Sequence, residues 1–384
     1  MAPKIYKTLI IGAGISGIGC AHKLSENSSE FRIISPDIGG RIISSENGMV
    51  QYGAYYVMSI YHNVASWVNK GRRISPSKLM FRKSNHSYNI LDRKLFTHLA
   101  QLIRLVLILR KFKKHYELFK QKSVYGSQVT CLKNDSYLWD LYNSDAESFI
   151  EKNKIKEIVY DYLAEVLHGT TFTPLKNLNA FTFLHFSLPL IVPIYEFKFK
   201  KDEVLKSIKD KWVRDAVEKI QYDHDHNRYE VLTKKQKSYF CEYLVVATPP
   251  QISKKLLKLK THLRKTAKAH MFHLSGRIKP DWNKGEEDLF EDQNRMLAIA
   301  HQKDNSYLFY TTEAKPDFGK YFFNHKIIKH IFWNPAFHIG GSNIIDFIQG
   351  EKLFLIGDNN ICGMEDSYIY GMYVANKILG KALD

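Results

Sequence analysis

From Lys7 the chain reads KTLIIGAGISGIGCAHKL: an aliphatic run, a glycine-rich turn, then apolar residues at Ile15, Ile18, Ala21 and Leu24. The run predicts a buried strand and the spacing that follows predicts a helix. A second strand is predicted at residues 31–35. Near the centre, residues 217–220 and 229–232 read as strands around a turn at 223–227, and 244–247 as a buried strand ending in Thr248-Pro249-Pro250. At the far end, an apolar strand at 353–356 leads into Gly357-Asp358. Gly363-Met364-Glu365 then opens a helix with Tyr368, Gly371, Ala375 and Ile378 on related faces.

The stretches between, roughly 61–204 and 256–342, have a different texture. The first is predicted helical. LFTHLAQLIRLVLILRKFKKHYELFKQ places Leu95, Leu99, Leu102, Ile103, Val106 and Leu109 on one face, followed by Arg110, Lys111, Lys113 and Lys114. Those letters fit a core helix with a solvated basic end, and equally a basic amphipathic surface for a membrane or lipid. Residues 254–270 form a second basic helical candidate with the same two readings. From His270 onward, HMFHLSGRI, MLAIAHQ and SYLFYTTE alternate, which predicts an antiparallel sheet.

A chain of 384 residues, 45% apolar, is long enough for one large core or two interlocked ones. Cys20, Cys131, Cys241 and Cys362 lie far apart, with no CxxC pair and no His/Cys cluster at ligand spacing, which argues against a disulfide framework or structural zinc. The apolar run after Lys7 is too short for a signal-peptide core, and no run of about eighteen apolar residues predicts a spanning helix. A reducing, cytoplasmic setting is expected. The net charge of +17 favours anionic partners, but lysines are scattered along the chain as on any solvated surface, and no nucleic-acid partner is expected.

The first turn carries Gly12-x-Gly14-x-x-Gly17 between strand and helix. Gly12 suits a tight turn, Gly14 lets backbone approach a pyrophosphate, and Gly17 lets helix pack on strand. The ribose-contacting position, roughly 20 residues on, falls at Ser35 where an acid is usual. A serine hydroxyl bonds a ribose more weakly than a carboxylate does. Asp37 either compensates from the turn or is an ordinary Pro-Asp turn residue.

The continuation GGRIISSENGMVQYGAYYV, with Gly39-Gly40-Arg41 and a short hairpin ending in Gly53-Ala54, resembles the FAD-binding arrangement of the flavin amine oxidase, protoporphyrinogen oxidase and phytoene desaturase superfamily. The closing strand–Gly-Asp–helix and the central VVATPP strand are similar to that group's other two motifs, in the same order. The resemblance covers well under half the chain. It implies an α/β fold: a discontinuous Rossmann-like FAD-binding domain with a parallel sheet (1–60, 205–255 and 343–384) and a mixed α+β substrate domain with an antiparallel sheet (61–204 and 256–342). It implies cofactor contacts at Gly12, Gly14, Ile15, Ser16, Gly17, Ser35, Gly39, Gly40, Arg41, Gly53, Ala54, Val217, Ala247, Gly357, Asp358, Met364 and Glu365. Arg41 would meet the phosphates, Val217 the adenine and Asp358 the ribityl chain, while the last helix would face the pyrimidine edge of the flavin, where reduced flavin carries negative charge.

The implied activity is hydride transfer from a C–N or C–C bond of a largely apolar small molecule to noncovalent FAD. A redox-neutral isomerase or mutase and a non-enzymatic membrane-surface protein are the alternatives. Tyr56 and His338 are the active-site candidates, and Trp333 and Phe337, in the segment 332–341, are candidates to line the flavin face. No position for a flavin-proximal lysine is evident. There is no second glycine fingerprint for a nicotinamide domain, so oxygen or another acceptor is expected to reoxidise the cofactor.

Overall fold

A computed structural model describes residues 3–83, 86–259, 265–291, 295–339 and 344–383. The predicted first strand, β1 (Ile5–Gly14), lies inside an eight-stranded sheet, flanked in parallel by β2 (Phe31–Gly39) and β11 (Ser238–Val246). Thr8, Leu9, Ile10 and Ile11 are all buried. A parallel strand covered on both faces needs apolar side chains pointing both ways, and this run supplies them. The sheet continues from β11 to β18 (Leu353–Leu355) and β17 (Ile348–Gly350), and from β2 to β8 (Trp212–Val213). β9 (Val217–Asp223) and β10 (Arg228–Thr233) join β11 as an antiparallel meander. Segments predicted at opposite ends and the centre of the chain therefore share one sheet.

The two faces of this sheet have different covers. Ile10, Ile33 and Val245 pack with the first helix (Ile15–Glu26) and the last (Met364–Ile378). Leu9, Ile11, Ile34 and Val246 pack under Tyr229 and Val231 of β10 and the helix Pro250–Leu257. The first and last helices lie so close that a Cβ on Gly371 would sit 2.0 Å from the Ser16 carbonyl oxygen, and one on Gly19 2.4 Å from that of Tyr368.

A seven-stranded sheet stands beside it in the order β16 (Phe322–His338), β12 (Thr266–Ile278), β15 (Tyr307–Thr311), β14 (Met296–His301), β13 (Glu287–Phe290), β5 (Leu79–Lys83), β6 (His86–Asn89). It contains the alternating segments expected from His270 onward. A three-stranded sheet, β3 (Tyr56–Met58), β7 (Ile194–Phe199) and β4 (Val68–Arg73), bridges the two regions.

Three expectations are corrected. Residues 61–204 are not purely helical, because β4, β5 and β6 precede the helices. Their sequences alternate little, and β5 is a strand because it pairs with β13 from the other end of the chain. Second, the long helix is Leu99–Lys122, separated by His98 from a short turn at Lys94–Thr97, and its buried stripe is Leu105, Leu109, Phe112, Tyr116 and Phe119. Aromatic residues in its second half, packed against Phe181 and His185, set the inward face and leave Leu99 and Ile103 outside. Third, 254–270 is not one basic helix: the helix stops at Leu257, Lys258 turns left-handed at φ +50°, and a strand begins at Thr266, with 260–264 outside the described residues.

In an exposed helix, Gly→Ala stabilises by about 1 kcal/mol. At Gly371 the sign reverses, because the new methyl meets backbone that cannot move aside. Gly371→Ala is expected to lower stability by about 2 kcal/mol or more in urea titration, the range seen on overpacking a core.

Candidate functional site

The carboxyl ends of β1 and β2 stay paired through Gly14 and Gly39, and there the two chains turn apart. Gly12 adopts φ +103°, and a Cβ on it would sit 2.6 Å from the Ala247 carbonyl oxygen at the end of β11. Gly17 lies with its would-be Cβ 2.0 Å from the Gly12 carbonyl, so helix and strand touch as the spacing requires. Gly14 is the open position: a Cβ there would meet only the Cα of Gly40, at 3.9 Å. Facing glycine backbones thus form a cradle that side chains would fill. No side chain caps the first helix at Gly14 and no acid lies in its first turn, so the N–H groups of Ile15, Ser16 and Gly17 retain their attraction for an anion.

The chain's two ends meet at the same place. Arg41 Nη2 donates to Asp358 Oδ2 at 2.5 Å, and Arg41 Nη1 to the Ala336 carbonyl at 3.4 Å. His338 Nε2 lies 3.3 Å from Asp358 Oδ1. Burial opposes ionisation of Asp358, but Arg41 and then His338 outweigh it and hold the carboxyl far below the usual carboxylate range. Gly53 closes the hairpin against Arg41, since a Cβ there would lie 1.8 Å from the Arg41 carbonyl oxygen and 3.5 Å from the Trp333 ring. Ala54 N donates to that same carbonyl at 3.3 Å.

Of the expected contacts, Gly12, Gly14, Ile15, Ser16, Gly17, Gly39, Gly40, Arg41, Gly53, Ala54, Ala247, Gly357 and Asp358 gather around this cradle or its hairpin. Arg41 and Asp358, expected on different parts of a ligand, are bonded to each other. Ser35 is buried and its hydroxyl donates to the Asp37 carbonyl at 2.6 Å. Asp37 is an exposed turn residue paired with Lys201 at 2.8 Å. Val217 opens β9 and packs with the cluster on the sheet face opposite the first helix.

Met364 begins the last helix behind Gly363, again without a side-chain cap. The Glu365 carboxylate accepts four hydrogen bonds, from the backbones of His62, Asn63 and Val64 and the Asn63 amide. Next to it, Asp366 accepts from Tyr116 at 2.8 Å, and Tyr116 contacts His185 Nε2 at 3.0 Å. Burial pushes the Asp366 carboxyl up to about 7 and the His185 imidazole down to about 3.

His338 is buried beside Asp358, with Nε2 facing that carboxylate. Phe337 packs edge-on against Phe186 at 5.1 Å, and Gly340 and Gly341 of the same segment lie outside the described residues. Tyr56 follows the hairpin on β3 and meets Tyr55 edge-on at 5.2 Å.

One residue escaped the sequence reading. Glu287 lies in an acidic run, Glu286-Glu287-Asp288, that reads as surface. On β13, however, it shares a face with Leu289, and across the sheet that face continues through Ala300, Ala298 and Tyr310 toward the main core. Burial, then Asp288, pushes its carboxyl up to about 7. Burial, then the Glu287 charge, raises the hydroxyls of Tyr56 and Tyr310, and the same pair of causes leads at Tyr55. Glu287 makes no ion pair or side-chain hydrogen bond with a described residue. The period-two pattern of β13 was the signal available.

A family model described as an NAD(P)-binding Rossmann-like domain matches residues 10–70. Comparison with curated proteins finds no match. Among solved structures, the chain is similar to cyclohexylamine oxidase from Brevibacterium oxydans IH-35A (TM-score 0.66, 11% identity, 98% of this chain and 99% of that one covered). It is also similar to a wild-type putrescine oxidase bound to putrescine (0.68, 9%, 98% and 100%). A third likeness is to a protein described as a protoporphyrinogen oxidase from Exiguobacterium sp. 255-15 (0.63, 9%, 98% and 99%). Over nearly its whole length the chain has the fold of these oxidases.

Asp366 yields a test of the network under the last helix. Between its ordinary value of 3.8 and about 7 the folded protein holds a proton that the unfolded chain has released. The unfolded state binds fewer protons in that window, so this group makes stability fall as pH rises. Asp366→Asn is expected to remove that slope, which amounts to at most roughly 4 kcal/mol at 1.36 kcal/mol per unit, in urea titrations from pH 4 to pH 7.

Proposed function

We propose that this chain, which has the oxidase fold just described, is an FAD-dependent oxidoreductase that takes a hydride from a C–N bond of a small, largely apolar amine. The observation that supports it most is the meeting of the glycine cradle, the Arg41–Asp358 pair and the uncapped N-terminus of the last helix at one place. A dinucleotide with a single mononucleotide half at the first turn has no need of the distant Gly357-Asp358 and last helix. A molecule that continues from a pyrophosphate through a sugar alcohol to a ring with an electron-rich edge uses all of them.

When bound, FAD supplies the hydride acceptor. The chain's own residues bind and orient. The N–H groups after Gly14 hold phosphate oxygens, Arg41 turns a guanidinium toward the same charge, and Asp358, held ionised by Arg41 and steadied by His338, accepts from sugar hydroxyls. The backbone at Met364 and Glu365 presents the positive end of the last helix to the ring edge. The noncovalent state of the cofactor is part of this proposal.

Glu287 favours the C–N bond over the C–C bond. A carboxylate without a partner, in an apolar wall that carries Tyr55, Tyr56 and Tyr310, is costly until a cation arrives, and a protonated amine is such a cation. The putrescine of the neighbouring structure is a small amine of this kind. Its nitrogen would be drawn to Glu287, while the tyrosines exclude water around the carbon that loses hydride.

The protein as purified is expected to be yellow, and anaerobic addition of an aliphatic amine to bleach it. Turnover that requires prereduced flavin and leaves no net oxidation would indicate the redox-neutral alternative, and a colourless protein that refuses added FAD would defeat both enzymatic readings. Asp358→Asn is expected to weaken FAD binding roughly 10- to 100-fold, the range for losing a charged hydrogen bond. Glu287→Gln is expected to keep the flavin spectrum while lowering kcat/KM for amines by a similar factor.

A further inference from the structure

Among the described residues nothing covers the apolar stripe on the outer face of the long helix. Leu99, Ile103 and Leu107 recur every four residues along it and are 52%, 54% and 58% exposed. Phe96 on the preceding turn is 75% exposed and Leu91, in the loop before it, 70%. Five large apolar side chains within one short segment make a contiguous patch, whereas scattered exposed leucines elsewhere on the surface need no explanation.

The same stripe continues into positive charge. One and two helical turns past Leu107 come Arg110 and Lys114 on the line of Leu99 and Ile103, and neither makes an ion pair with a described residue. Arg104 and Lys111 flank the stripe on one side; Arg104 donates to the carbonyls of Asn153 and Lys154, which sets the exposed Lys154 alongside. Arg93 adds a cation at the apolar end without an ion pair among the described residues. Of the acids nearby, Asp161 is paired with Lys94 and His98 and Glu117 with Lys113, Glu157 accepts from Gln101, and Asp92 beside Arg93 has no ion pair among the described residues, so cations outnumber free acids along this face.

We propose that this face docks on an anionic lipid surface, with Leu91, Phe96, Leu99, Ile103 and Leu107 entering the acyl boundary and Arg104, Arg110, Lys111 and Lys114 meeting the headgroups. Charge selects this occupant. A bilayer offers negative charge in a plane above an apolar layer, which matches a stripe whose apolar and cationic residues share one face. A second copy of the chain fits less well: in a symmetric pair the basic end meets either itself or the partner's apolar end, where Asp92 and Glu157 are too few to answer Arg104, Arg110, Lys111 and Lys114. Among the described residues no helix is long and apolar enough to cross a membrane, so the contact lies on the surface of the bilayer. This contact is independent of the flavin chemistry and needs no cofactor.

The test is flotation of the full-length protein with vesicles of equal parts phosphatidylcholine and phosphatidylglycerol, against vesicles of phosphatidylcholine alone. The protein is expected to float with the anionic vesicles and to be released by high salt. Combining Leu99→Ser, Ile103→Ser and Leu107→Ser, all at exposed sites, is expected to cut the bound fraction at least tenfold with the circular dichroism unchanged. Arg110→Glu with Lys114→Glu is expected to remove the preference for the anionic vesicles. Three results would overturn the proposal: no flotation above the neutral control, a triple-serine variant that floats like the parent, or a parent that is a dimer by light scattering and becomes a monomer in the triple variant without ever having bound vesicles.

Discussion

The backbones of the first and last helices touch. At Gly19 and Gly371 each helix presents no side chain to the other, and the carbonyls of Ser16 and Tyr368 occupy the space that Cβ atoms would take. That close approach brings residues more than 340 positions apart to one edge of the parallel sheet. From it follow the salt bridge between Arg41 and Asp358 and the placement of two uncapped helix N-termini near one glycine cradle. With ordinary side chains at this crossing the two helices would stand further apart, and the halves of the site would separate.

Electrostatics complete what packing begins. The last helix opens with Glu365 and Asp366, two acids that would favour the helix itself but work against attracting an anion to its N-terminus. Glu365 is answered by the amides of residues 62–64, which ties the start of the bridging region to the helix. Asp366 sits beneath Tyr116 of the long helix in surroundings that favour its neutral form. Lys120 of the same helix is buried and donates to the Ile60 carbonyl at 2.5 Å, with its ammonium disfavoured by burial. The helical region is therefore bonded to the floor of the site and takes part in setting its charge.

How much of this was legible differs from element to element, for physical reasons. Strands β1, β2, β11 and β18 and both flanking helices could be read because buried parallel strands and glycine turns leave local marks: continuous apolar runs, and glycines where backbones touch. β4, β5 and β6 leave no such mark, since partners far along the chain make them strands. The long helix was recognised but its face was misplaced, because Leu99 and Ile103 satisfy helical spacing as well as the aromatic residues that are actually buried. The bonds that Ser35 and Glu365 make could not be read, because hydrogen-bond partners are not written in a linear motif. Glu287 was hidden by its acidic neighbours, although the alternation of its strand already assigned it inward.

The account stands on one molecule spanning from the first turn to the last helix, and a crystal structure of the protein grown with FAD examines that directly. The prediction is a pyrophosphate against the backbone of residues 14–17, a sugar alcohol chain beside Asp358, and a ring edge at Met364. A nicotinamide dinucleotide bound in preference to FAD, or a flavin lying away from Asp358, would contradict it.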